Sequence, residues 1–149
     1  MVHRMNRSWL VVAVGLLACN PFAPPDEIVR ERLIGTISIL HNVPVAIQLP
    51  DTVSRGISFP VSVRTYGDGC SAKGELEVSS SNLTAELIPY DTVVTYLPPD
   101  VGPCVAILRF HNHEGMLRFD TPGSARVVIK GIEEPSDTLI AVVRSVMVK

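Results

Sequence analysis

The chain has 149 residues, enough for one domain of ordinary size and too few for two. Its hydrophobic content of 46% is in the globular range. A formal net charge of -2, with no basic run and no basic patch interleaved with aromatics, excludes a nucleic-acid partner held by phosphate contacts.

The N-terminal stretch is built as an export signal. Arg4 and Arg7 supply a cationic start, an uncharged apolar run extends from Trp9 to Leu17, and Ala18-Cys19 follow. As a helix this run rises only about 14 Å, against a hydrocarbon core of roughly 30 Å, so a retained transmembrane helix is not expected. The segment Leu16-Leu17-Ala18-Cys19 resembles the lipobox of bacterial lipoproteins. The resemblance implies cleavage after residue 18, lipidation of Cys19 and a lipid-anchored address in the cell envelope. It also implies the outer membrane where a cell has two, because Asn20 is not the aspartate associated with inner-membrane retention. Removal of residues 1–18 takes Arg4 and Arg7 from the 13 basic residues, leaving 11 against 15 acidic ones, a balance of -4. Such a domain is repelled by anionic headgroups, so the acyl chains rather than the protein surface would hold it to the membrane.

Residues 19–32 read as the lipidated cysteine and a tether, with Asn20-Pro21-Phe22-Ala23-Pro24-Pro25 as a semi-rigid extended spacer and a short helix near Asp26 to Arg32. Residues 33–149 read as one β domain. From Leu33 the hydrophobic period is two almost throughout, and no stretch of helical length carries a helical stripe. Strands are expected over 35–40, 45–49, 57–63, 74–78, 83–88, 92–97, 104–111, 116–119, 125–132 and 139–148. Pro60 lacks a donor and belongs at an edge or bulge. Turn-forming residues separate these runs at Tyr66-Gly67-Asp68-Gly69, Leu97-Pro98-Pro99-Asp100, Asn112-His113-Glu114-Gly115 and Thr121-Pro122-Gly123. Asp51-Thr52, Asp91-Thr92 and Asp137-Thr138 read as turn exits that feed strands, not as a repeat.

Many short strands at this spacing mean an all-β sandwich, with a small β-barrel as the alternative. The stretch from Phe119 through Pro122-Gly123 to Gly131 is similar to the late strand-turn-strand segment of bacterial immunoglobulin-like domains, which implies a Greek-key sandwich of the kind used for display, adhesion or assembly. The sole tryptophan, Trp9, lies in the signal, so the buried Trp of antibody domains has no counterpart.

Three cysteines are an odd count for an exported chain. Lipidation of Cys19 resolves it, leaving Cys70 and Cys104 to form a disulfide in an oxidising compartment. The competing use is a metal site combining these thiols with His111 and His113. If 104–111 is one strand, Cys104 and His111 fall on opposite faces, which disfavours it.

Chemistry-bearing constellations are few. His111-Asn112-His113-Glu114 has the side chains to ligate zinc or copper, with His41 or Glu114 as a third ligand, although a solvated loop is the plainer expectation. Glu75 and Glu77 share a strand face opposite Leu76 and Val78, as a carboxylate pair would, but a solvated outer face explains them better. Asn82-Leu83-Thr84 matches a glycosylation tripeptide without significance in bacteria. No nucleophile elbow, zincin helix or phosphate-binding glycine loop occurs, so no enzyme is expected. The last strand, Leu139 to Val148, is apolar on both faces, which means either a central strand covered on both sides or a face that meets a partner or a second copy. The expectation is thus a non-enzymatic envelope lipoprotein with a structural or protein-interaction role, with a His-x-His zinc or copper protein as the alternative.

Overall fold

The structure is a computed structural model that describes residues 28–39, 44–96 and 102–149. The signal, Cys19, most of the tether, His41 and the 97–100 turn lie outside the described residues. Among the described residues ten strands run in chain order: β1 (Val29–Ile34), β2 (Thr36–Ser38), β3 (Ile47–Gln48), β4 (Thr52–Val53), β5 (Phe59–Gly67), β6 (Ser71–Ser81), β7 (Thr84–Tyr96), β8 (Arg109–Leu117), β9 (Gly123–Glu133) and β10 (Thr138–Val148). The all-β expectation holds, and all ten strands belong to one curled sheet. Its backbone is β1-β7-β9-β2-β5-β3, with β6 added on β7, β8 on β5, and β10 on β9.

Alternation decides which faces meet. Along β5, Phe59, Val61, Val63 and Thr65 are buried, whereas Pro60 and Arg64 are exposed. β9 repeats the pattern with Ala125, Val127 and Ile129, and β7 with Ala85 and Leu87. Together with Ile37, Leu117, Phe119, Val146 and Val148 they form one core, in which Phe59 and Phe119 stack with ring centroids 5.9 Å apart. Pro60 sits as expected. Arg64 donates its backbone N–H to Ala46 on the β3 side, and by alternation the nitrogen of Pro60 faces that side too. β3 pairs with Ser62 and Val63, and no strand of the described residues pairs with Pro60 on that side, so no ladder donor is missed there.

Several expectations need correction. The stretch expected as a short helix and tether is strand β1 from Val29 onward, because the distal half of β7, Tyr90 to Tyr96, offers a ladder to pair with and that pairing overrides local propensity. The separate strands expected near 83–88 and 92–97 are replaced by one, Thr84–Tyr96. Pro89 does not break it, since it sits where the partner of β7 changes from β9, at Thr84–Leu87, to β1, at Tyr90–Tyr96. Asp91 is therefore mid-strand, whereas Asp51 and Asp137 do precede strands β4 and β10.

The expected turn at 112–115 is likewise absent. β8 pairs with β5 without interruption from Arg109 to Leu117, and residues 104–108 lie outside any strand. Gly115 marks close packing rather than a turn: a Cβ there would lie 3.0 Å from Val78 Cγ2 and 3.1 Å from Leu76 Cδ2. Finally, among the described residues β10 is not a central strand. It pairs with β9 along its whole length, but on its other side the described residues offer a partner, β4, to Met147 and Val148 alone.

Candidate functional site

Cys70 and Cys104 form the expected disulfide, with Cα atoms 5.3 Å apart. It ties the start of β6 to the irregular segment before β8, and Gly69 adds a backbone hydrogen bond to the Val105 carbonyl. Beside this staple the inward faces of β5, β7 and β8 carry polar rather than apolar side chains. Registers Val63↔His113 and Thr65↔His111 put both imidazoles next to β5, and Asp91 reaches them from β7.

His111 Nδ1 lies 2.9 Å from Asp91 Oδ1, and His113 Nε2 lies 3.1 Å from the same oxygen. Thr65 Oγ1 is 2.9 Å from His113 Nε2. Thr65, His113 and Asp91 are all buried, with His113 fully so. The expectation of a solvated loop at 111–114 is thereby overturned, for the physical reason that alternation along β8 turns both histidines inward. The same alternation turns Glu114 outward, where it is exposed. The carboxylate that joins the imidazoles is instead Asp91.

Burial alone would push the Asp91 carboxyl up. Hydrogen bonds from His113, Thr65 and His111 outweigh it and hold the group below the usual carboxylate range. His113 donates through Nε2, and its buried Nδ1 has no hydrogen-bond partner among the described residues. Gly35 is required nearby: a Cβ at this position would lie 2.5 Å from Thr65 Cγ2 and 2.9 Å from Asp91 Oδ2.

One wall of a cleft of about 830 Å³ includes Asp91, with Leu33, Tyr66, Ser71 and Ile107 among the other lining residues. The Ser71 hydroxyl donates to the Asp68 carbonyl, so it is not paired with an imidazole as a nucleophile would be. Among the described residues no group of three or more His, Cys, Asp and Glu side chains is arranged to hold a metal ion. The two imidazoles are closed onto one carboxylate oxygen rather than directed at a common point. Glu75 and Glu77 are exposed on β6 and both pair with Arg32, whose guanidinium lies 3.3 Å above the Tyr90 ring. They form an outer electrostatic clip on β1.

The second candidate is the outer face and free edge of β10. Leu139 is 54% exposed, Val143 42% and Met147 45%. Their cross-strand neighbours on β9 include Ile132 and Val128, and the Lys130–Glu86 ion pair lies beside them. The backbone N–H of Met147 donates to Asp51 and that of Lys149 to Val53. By alternation the N–H groups of residues 139, 141, 143 and 145 also face that side, where no strand of the described residues lies.

No family model, curated protein or solved structure matches this chain.

Proposed function

We propose that the chain is a non-enzymatic lipoprotein of the bacterial cell envelope, anchored through a lipid on Cys19, whose β domain is a protein-interaction module. The observation that carries the interaction role is β10, a long strand with apolar residues on its exposed face and, among the described residues, no strand along most of one side. Isolated edge strands of this kind are normally blunted by charge, proline or a covering element, since an open ladder invites pairing. The Cys70–Cys104 disulfide supports an oxidising compartment, and the Leu16-Leu17-Ala18-Cys19 motif supports the anchor. The polar cluster under the cleft serves the fold in this reading, locking β5, β7 and β8 together.

The test is site-specific photo-crosslinking in the protein's own cells, with the probe at Val143 or, as control, at exposed Ser79 on β6. A discrete adduct from position 143 and none from position 79 is expected. No adduct from 143, or the same smear from both, overturns the interaction role. In parallel, Cys19→Ser should move the chain out of the membrane fraction; unchanged partitioning overturns the anchor.

Zinc or copper binding is the second reading. It is favoured by the inward pairing of His111 and His113 beside a third potential ligand, Asp91, and it requires their mutual hydrogen bonds to open. It predicts metal uptake by the purified chain that disappears in the His111→Ala, His113→Ala double variant. Equal uptake by both proteins ends this reading.

A further inference from the structure

We infer that the open edge of β10 is filled by β10 of a second copy of this chain, the two strands running antiparallel about a two-fold axis at Ala141. The inference rests on the interaction role proposed above and names the partner.

The run Leu139-Ile140-Ala141-Val142-Val143 is uncharged and lies N-terminal to the stretch held by β4, so its edge N–H and C=O groups have no partner strand among the described residues. Antiparallel pairing across a two-fold is self-complementary, since each residue meets the residue equally far beyond the axis. A register centred on Ala141 sets Leu139 against Val143 of the partner subunit, Ile140 against Val142 of the partner subunit, and Ala141 against Ala141 of the partner subunit. This register alone matches the five-residue apolar run wholly with itself. Sliding the axis to Val143 would set Leu139 against Met147, whose N–H is already given to Asp51.

Charge agrees with the same register. Arg144, the sole ionisable residue of β10, falls opposite the uncharged Thr138 of the partner subunit, so the register brings no like charges together within the ladder. An axis at Arg144 would instead set two guanidinium groups face to face. The outer faces then merge, with Leu139 and Val143 of one copy continuing the apolar stripe of the other. Copies anchored to one membrane also share a surface, which raises their effective concentration for such pairing.

The experiment uses the full chain made with its own signal, extracted in detergent, and sedimented at a range of protein concentrations. The unaltered chain is expected at twice the protomer mass. Ala141→Pro removes an N–H that faces the open edge and takes none from the β9 ladder, so it should leave a folded monomer with its disulfide intact. Val143→Lys, which charges the outer face, should raise the dimer dissociation constant at least tenfold without a proline. Ala141→Thr should retain the dimer. Oxidation of Ala141→Cys should link two copies, since residues directly opposed in a ladder have Cα atoms about 5.5 Å apart, within disulfide range.

A monomer at all concentrations with no linkage through position 141 overturns the self-pairing. If the probe at Val143 still yields an adduct of another mass, the interaction role survives with a different partner; if it yields none, both fall. A dimer indifferent to both Ala141→Pro and Val143→Lys places the contact elsewhere and overturns the inference.

Discussion

Replacing Asp91 by alanine removes the acceptor that holds three strands together. The His111 Nδ1–H, the His113 Nε2–H and the Thr65 hydroxyl all lose their carboxylate, and His113 and Thr65 have no access to water. Leaving a buried donor unpaired costs about 1–3 kcal/mol, and Asp91→Ala leaves two fully buried donors in that state. His111 retains some contact with solvent, which reduces its share, so the expected loss at pH 7 is about 4 kcal/mol. For a domain of this size that corresponds to a fall in Tm of roughly 15–20 °C. Asp91→Asn keeps an acceptor oxygen and loses only the charge, so about half the loss is expected.

The effect should depend on pH with a definite sign. Because the folded Asp91 carboxyl titrates below the ordinary carboxylate value of about 3.9, its ionised form stabilises the fold fully above that pH. The contribution is lost as pH falls through the folded value. The difference between the unaltered chain and Asp91→Ala should therefore shrink on acidification below about pH 4. Urea unfolding followed by tyrosine fluorescence from pH 7 down to pH 3 measures it. A loss under about 1 kcal/mol at pH 7 would refute a structural role for the cluster, as would a difference that stays constant on acidification.

Other perturbations have equally direct readouts. Gly35→Ala forces a methyl against Thr65 and Asp91 and should cost about 1–3 kcal/mol in urea unfolding, whereas an unchanged midpoint would mean that β2 shifts freely. Gly131→Ala would set a Cβ 2.5 Å from Ile37 Cγ2 in the core, with a loss in thermal midpoint of similar origin and size. Opening the disulfide, which spans a sequence separation of 34, should cost about 3–4 kcal/mol, seen as a lower unfolding midpoint in the Cys70→Ser, Cys104→Ser double variant. Reductant should shift the unaltered chain to the same midpoint and leave the double variant where it is.

Period-two alternation carried most of the fold, because a half-buried strand prints its inward face directly into the sequence, as Phe59-Val61-Val63 and Ala125-Val127-Ile129 do. It failed where a strand's partner, not its own composition, decided the outcome. Val29 to Ile34 shows no buried face and becomes a strand only because β7 outruns its neighbours. Gly115 reads as part of a turn, and 83–88 and 92–97 as separate runs, yet Gly115 lies under a close-packed neighbour and the two runs join through Pro89, where β7 changes partner. Those two misreadings concealed the polar cluster. Read as a single strand, Ala85, Leu87, Pro89 and Asp91 share one face, and the buried carboxylate would have been visible beside the two histidines. Nothing local to Asp91-Thr92-Val93 distinguishes it from the true turn exits at Asp51 and Asp137. The apolar character of β10 was plain, but only its pairing and the exposure of Leu139, Val143 and Met147 show that no strand of the described residues lies along most of its second edge.

The most direct test of the proposed identity is the intact mass of the chain, expressed in a bacterial host with its own signal, before and after reduction and alkylation. The account predicts loss of residues 1–18, a lipid adduct on Cys19, and two thiols that appear only on reduction. A chain that keeps an unlipidated Cys19, with Cys70 and Cys104 already free, would contradict it.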